Sequence, residues 1–372
     1  NNSAVTSNYL VEQRLNYNTT IGRHKLDAMV AMTYEKNSSE GINAFKRKAL
    51  GNDEIYQILD AQTAGDNTSG GKETSSMLSY LGRINYVYDD RYLATVNFRA
   101  DGSSRFAKRN RWGYFPSVSL GWRVSNEEFF KNLNIENTIS NLKLRVGWGQ
   151  NGNQRIDRDA PLTLIGTKNE NQWYFGNGYS QGYVPTYVGN ADIKWETSQQ
   201  TNVGLDMSFF KNRLAMTVDV YRKKTTDLLI EKNAALATGY EKGWANIGAV
   251  RNQGIEITLD ATPILTKKWN WTLNANIGFN RSKVLDIGPG DEMGFDPGVI
   301  PGSGNFVMIR KNKSLGQWYG YKIDGVYASQ HEINEQGLTE VLGQKIASIR
   351  PGDYRFRDQN GDGKITSADL VL

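Results

Sequence analysis

Residues 79–99 read SYLGRINYVYDDRYLATVNFR, and their alternation decides the fold. From 80 to 88 one side carries Tyr80, Gly82, Ile84, Tyr86 and Tyr88, and the other Leu81, Arg83, Asn85 and Val87. After Asp89 and Asp90 the pattern resumes, with Tyr92, Ala94, Val96 and Phe98 opposite Arg91, Leu93, Thr95, Asn97 and Arg99. A period of two belongs to a strand, not a helix. Two acidic residues between two such runs predict a tight hairpin.

The same pattern recurs along the chain. Pro116, Val118, Leu120 and Trp122 oppose Ser117, Ser119 and Arg123; Leu142, Leu144, Val146 and Trp148 oppose Lys143, Arg145, Gly147 and Gly149. Val203, Leu205, Met207 and Phe209 point away from Asn202, Asp206 and Ser208, as do Leu214, Met216, Val218 and Val220 from Thr217, Asp219 and Tyr221. Ile255, Ile257 and Leu259 oppose Glu256, Thr258 and Asp260. In 269–280, Trp269, Trp271, Leu273, Ala275, Ile277 and Phe279 alternate with Asn270, Thr272, Asn274, Asn276, Gly278 and Asn280. Residues 9–17 and 26–34 bring the predicted strands to ten, and these apolar sides carry no charge.

Such strands suit a lipid-facing barrel wall or one sheet of a soluble sandwich. Two features favour the barrel. The runs last about 9 to 12 residues, enough for a tilted strand to cross a bilayer, against the 5 or 6 usual in soluble sheets. The connections also alternate along the chain: short near Thr20, long at 35–77, short at Asp89 and Asp90, then 101–111, a connection at 125–140, long at 151–197, tight at 211–213, long at 223–248 and short at 262–268, before a very long tail. Short turns on one rim and long loops on the other are the pattern of outer-membrane barrels. Tyr88, Tyr92, Trp122, Phe209 and Trp269 lie beside the short turns, and Tyr80, Phe98 and Trp148 toward the other rim, like two interfacial girdles. The expected fold is all-β: an antiparallel transmembrane β-barrel with long extracellular loops, its strands in residues 1–281 and a long extracellular loop region in 282–372. Ten strands that begin descending and finish ascending would leave both chain ends outside the cell, so the chain is expected to be an interior segment of a larger barrel.

Composition removes several alternatives. With no cysteine and only His24 and His331, neither a disulfide framework nor a thiolate or multi-histidine zinc centre can form. No run of about 18 apolar residues offers a membrane helix, a test that a barrel escapes. The net charge is +5, yet the basic clusters at 46–48, 108–111, 222–224 and 267–268 are scattered, which argues against nucleic acid as a partner.

Residues 79–130, SYLGRINYVYDDRYLATVNFRADGSSRFAKRNRWGYFPSVSLGWRVSNEEFF, resemble the barrel of SusC/RagA-type TonB-linked outer-membrane transporters. The resemblance continues, in order, through LKLRVGWGQNGNQ from Leu142, WETSQQTNVGLDMSFFKNRLAMTVDVYRKKTTDLL from Trp195, ANIGAVRNQGIEITL from Ala245 and GDYRFRDQNGDGKIT from Gly352. It implies a barrel of about 22 strands embedded in outer-membrane lipid, with a plug inside and a TonB-contacting segment. It also implies a SusD-like surface lipoprotein as lid, and import of oligosaccharide or peptide fragments rather than enzymatic catalysis. Neither plug nor TonB-contacting segment has a candidate stretch here. A soluble or surface-attached glycan-binding module and a passive porin are the competing readings. Lumen-facing Arg83, Asn85, Arg99, Lys143, Arg145 and Asp206 are candidates to line the path.

Residues 358–369, DQNGDGKITSAD, place oxygen ligands at calcium-loop spacing: Asp358, Asn360, Asp362, the Lys364 carbonyl, Thr366 and Asp369, with Gly363 at the sharp turn. Calcium would then stiffen an extracellular loop; the alternative is a solvated Asp/Gly turn. Position 12 is Asp where Glu is usual, and the flanks do not look like paired helices. Trp173, Tyr174, Tyr183 and Tyr187, with Phe175 and Tyr179, can stack on substrate or pack their own loop. Gly147, Gly149 and Gly152 have dinucleotide-fingerprint spacing, but no helix terminus follows to receive a phosphate. His331 has Glu335 where a zincin needs its second histidine. Asp89 with Asp90, and Glu127 with Glu128, read as solvated turns rather than a glycosidase pair. Lys108, Arg109 and Arg111 would meet either lipopolysaccharide phosphates or solvent.

Overall fold

A computed structural model describes residues 2–49, 62–166, 172–176, 178–234, 236–240, 242–290, 292–295 and 307–371. It divides into two compact units, residues 1–281 and 282–372.

The first unit is built on one ten-stranded sheet whose order follows the chain. The strands are β1 (Asn2–Ile21), β2 (His24–Ala49), β3 (Gln62–Tyr88), β4 (Tyr92–Ser103), β5 (Trp112–Arg123), β6 (Ile139–Asn153), β7 (Glu196–Phe209), β8 (Leu214–Thr226), β9 (Ala249–Leu265) and β10 (Asn270–Asp286). From β1 through β9 each pairs antiparallel with the next. Every predicted strand lies within one of the ten. The β3–β4 hairpin closes with Tyr88 opposite Tyr92, and Asp89 and Asp90 both adopt a left-handed φ of 51°. Acidic residues tolerate that conformation best after glycine and asparagine, so the turn follows from its residues.

Several strands outrun the expected length. β2 and β3 pair from His24↔Tyr88 to Ala49↔Gln62, so most of the stretch 35–77 expected as a loop is a long hairpin projecting past the bilayer. Beyond the membrane a strand needs only backbone pairing. Alternation is therefore lost in NSSEGINAF (37–45), and with it the sequence signal.

Among the described residues no second layer covers the apolar stripes. Ile84, Val96, Leu120, Val146, Val203, Val220, Ile255 and Ile277 are all exposed, from 43 to 56 %. The buried cluster of this unit lies mostly in the connections instead: Phe106, Ile156, Ala160, Ile193 and Trp195, with Phe115 of β5. A contiguous apolar surface of this size on every strand is what hydrocarbon covers. Among the described residues no helix is long and apolar enough to cross a membrane, so only the strands can.

The described residues of the second unit hold short strand pairs, one α-helix, Gln330–Glu335, and 3-10 turns, around Tyr327, Ile333, Leu338, Val341, Ile349 and Ile365. Ser329 caps the helix by accepting from the Glu332 N–H at 3.3 Å, the usual way to satisfy a free first-turn donor. His331 Nδ1 lies 3.3 Å from Glu335 one turn on, an exposed two-residue contact.

Candidate functional site

The polar side of the sheet carries a connected network. Register places Gly204 of β7 directly between Arg145 of β6 and Asp219 of β8. Arg145 forks onto Asp206, with Nε and Nη2 each 2.8 Å from a carboxylate oxygen, and Nη2 also donates to Asp219 at 3.1 Å. The bidentate geometry fits a planar guanidinium. It exists because residue 204 has no side chain: a Cβ there would stand 2.5 Å from Asp219 Oδ1 and 2.6 Å from Arg145 Cζ. All three side chains are about a quarter exposed, and Asp219 Oδ1 has no partner.

Arg83 and Arg99 belong to a second group, toward the long-loop rim, while Asn85 and Lys143 lie nearer the short turns. Arg99 Nε lies 2.7 Å from both oxygens of buried Asp101, and its Nη2 donates to buried Ser79 at 3.2 Å. Arg83 donates to Asn97 at 2.6 Å, and Asn85 accepts from Thr95 at 2.9 Å. Arg83, Asn97, Arg99, Asp101, Ser117 and Gln150 line a recess of about 600 Å³. The structure thus joins Arg145 with Asp206, keeps Arg83 and Arg99 in a separate recess, and adds Asp219, Asp101 and Ser79. Alternation already put Asp219 on the polar face; its pairing needed the register, which sequence does not supply.

Gly147, Gly149 and Gly152 lie within β6, so no phosphate-binding helix end follows them. They clear space along the wall: an added Cβ would be 2.5 Å from Asn202 Oδ1, 2.7 Å from Ser117 Cβ and 2.0 Å from the Phe115 ring.

The aromatic loop residues separate. Tyr174 and Tyr183 are 65 and 73 % exposed, and Trp173 sits in a short strand, Gln172–Phe175, with its side chain outside the described residues. Tyr187 is buried at the end of the strand Val184–Tyr187, as in the loop-packing alternative. Burial, then the charges of Glu231 and Asp157, push its hydroxyl up to about 12. Of the three basic residues, Arg109 is already engaged by Asp192.

In the loop 358–369 the oxygens bind their own backbone. Asp358 accepts from Gly361 and Gly363 at 2.6 and 2.8 Å, Asn360 from Asp362 at 3.0 Å, and Asp362 from Lys364 at 2.9 Å. Fully buried Asp369 accepts from Gln359 and Thr366, both at 2.8 Å. Burial alone would raise its carboxyl, but the backbone N–H groups of Thr366, Gln359 and Asn360 outweigh it and hold the group below the ordinary range. Among the described residues no three His, Cys, Asp or Glu side chains gather as a metal's ligands would.

Residues 1–366 match the family described as TonB dependent receptor-like, beta-barrel. The chain is 34 % identical over 388 residues to TonB-dependent receptor P39 of Formosa agariphila, an alignment covering 96 % of this chain and 35 % of that protein. It is 36 % identical over 303 residues to TonB-dependent receptor SusC of Bacteroides thetaiotaomicron, covering 80 % of this chain and 28 % of that one. Among solved structures the RagAB peptide importer in its closed-closed state superposes with a TM-score of 0.75 at 22 % identity, over 97 % of this chain and 37 % of that one. The RagAB peptide transporter gives 0.74 at 24 %, over 88 and 35 %. The chain spans about a third of the length of the curated relatives it matches. These relatives are receptors and transporters, not enzymes, and they reside in the outer membrane. With its ten-stranded antiparallel wall, apolar toward lipid and ion-paired toward the lumen, the chain belongs to the TonB-dependent receptor-like β-barrel family, of SusC/RagA type, and is a multi-pass segment of the outer membrane.

Proposed function

We propose that this chain is part of the wall of a TonB-dependent importer that takes up oligosaccharide or peptide fragments together with a SusD-like surface lipoprotein. The observation that carries the proposal is the wall itself. A sheet matched along most of its length by the RagAB peptide transporters offers lipid an uncharged face and offers the lumen a row of paired charges and amides. Paired charges suit a passage for polar cargo: they hydrate the path without holding a ligand tightly. Energy would come from TonB acting elsewhere in the whole receptor. The test is uptake of labelled oligosaccharides and labelled peptides by cells with and without the gene, together with co-purification of a lipoprotein lid. Uptake of one class that disappears with the gene and with TonB supports the proposal; uptake unchanged without TonB points to a porin and refutes it.

The calcium reading of Asp358, Asn360, Asp362, Lys364, Thr366 and Asp369 is a proposal of the same standing. Each carboxylate oxygen that accepts one N–H keeps a further lone pair, and Gly363 has the left-handed φ of 78° that the sharp turn requires. Binding would need those lone pairs to swing toward one centre. Calorimetry with calcium on the whole receptor, and on Asp358→Asn, decides it: saturable binding lost in the variant supports the site, and identical heats dismiss it.

A further inference from the structure

The connection between β5 and β6 is out of scale for its rim. There β1–β2, β3–β4 and β7–β8 close through residues 22–23, 89–91 and 210–213, whereas residues 124–138 separate β5 from β6. The extra chain folds in a defined way: a 3-10 turn at Val124–Asn126, then a short α-helix at Glu128–Lys131. It is pinned by Asn126 donating to the Asp90 carbonyl at 2.9 Å and by Ser125 donating to Asn141 at 3.3 Å.

Glu127 shows which way the segment turns. Its carboxylate accepts from the Trp122 indole at 2.9 Å and from Arg91 at 3.1 Å. Tyr92 and Trp122 stand opposite one another in register at the foot of the apolar stripes. Trp122 belongs to the apolar stripe, so a carboxylate bonded to its indole sits at the lipid-side corner of the rim, with Arg91 reaching it from the turn. The hydrogen bonds from Tyr92 and Trp122 and the Arg91 charge hold the Glu127 carboxyl below its ordinary range, so the ion is satisfied where bulk water thins out. Beyond it Phe130 is buried, while Phe129 and Leu133 are 56 and 59 % exposed. Phe129 lies in the helical turn and Leu133 two residues past its end, with exposed Glu128, Lys131 and Asn132 beside them.

We propose that this segment is an interfacial foot, with Phe129 and Leu133 seated in the phospholipid leaflet of the short-turn rim and Glu128, Lys131 and Asn132 held in its headgroup layer. The occupant follows from continuity. The foot extends, at the same rim and on the same side, the face that the stripes present to hydrocarbon, and aromatic and aliphatic residues with polar neighbours are what an interface selects. It gives the wall a lateral contact at a fixed depth.

The chain has no cysteine, so positions can be read singly. Phe129→Cys, Leu133→Cys, Glu128→Cys and Asn132→Cys are made one at a time in the whole receptor, with any cysteine outside this chain replaced. Each is labelled with an environment-sensitive fluorophore and reconstituted in phosphatidylethanolamine and phosphatidylglycerol vesicles, with or without brominated acyl chains. All four sites are exposed, so labelling leaves packing intact, and retention of the heat-modifiable gel shift selects folded receptor. The expected result is at least twofold quenching by brominated lipid at 129 and 133, with iodide quenching dominant at 128 and 132. Equal iodide access at all four positions overturns the proposal. Protection of 129 and 133 from both quenchers also overturns it, in favour of a protein contact.

Discussion

Removing one guanidinium isolates the lumen network. In Arg145→Met the stem is kept and the fork that serves Asp206 and Asp219 is lost. Both carboxylates touch the same nitrogen, so they stand roughly 5 Å apart, and at an effective dielectric between 20 and 80 their repulsion is about 1 to 3 kcal/mol. The lost charge-assisted bonds add to this, but side chains a quarter exposed recover part of it from water. A net destabilisation of about 2 kcal/mol is expected. The assay is urea unfolding of the receptor in detergent micelles, followed by tryptophan emission. Adding Asp219→Asn to Arg145→Met removes the repulsion and should return about half of the loss. Arg83→Met serves as the control: exposed Arg83 is bonded to Asn97 alone, so its loss should cost about 0.5 kcal/mol or less. If Arg145→Met unfolds with the wild type, or Asp219→Asn fails to recover it, the network does not work as argued.

Gly152→Ala drives a methyl into the Phe115 ring, itself packed edge-on to Trp195 at 5.5 Å, and should destabilise by about 1 to 3 kcal/mol; an unchanged urea midpoint would mean that the ring moves freely. Val96→Arg, on the stripe, should cost about 2 to 4 kcal/mol when folding into lipid is measured, while the neighbouring Asn97→Arg should cost little. For Asp369 the folded carboxyl lies below its unfolded value, so its contribution is complete above about pH 4 and is lost as pH falls through the folded value. Hydrogen exchange at the Gln359 and Thr366 amides, corrected for intrinsic rate, should therefore stay slow as pH falls through the ordinary carboxylate range and speed up only below it; loss of protection already at about pH 4 would contradict it.

Where two environments alternate along a strand, the residues state the fold. Lipid on one side and water on the other leave Tyr92, Ala94, Val96 and Phe98 no choice of face, and the pairs of β3 to β9 follow that pattern. Outside the bilayer this constraint ends. The projecting halves of β2 and β3 pair through backbone alone, and the cluster of Phe106, Ile156, Ile193 and Trp195 assembles irregular segments with no period to detect. The candidate site was half legible for the same reason. Alternation put Arg145 and Asp206 on the lumen side, but only register shows Gly204 opening the space in which the guanidinium reaches Asp219. Tyr187 shows the opposite failure: an aromatic in a loop carries no mark that distinguishes an exposed ring from a buried one.

Hydrocarbon contact is the premise under all of this, and nitroxide scanning of β4 measures it directly. Spin labels placed singly at 94 to 99 in the receptor, reconstituted in vesicles, report collisions with oxygen, which concentrates in acyl chains, and with a water-soluble nickel chelate. Oxygen-dominated collisions are expected at 94, 96 and 98 and nickel-dominated or protein-restricted behaviour at 95, 97 and 99, repeating with a period of two. Nickel access at the even positions, or no alternation at all, would contradict it.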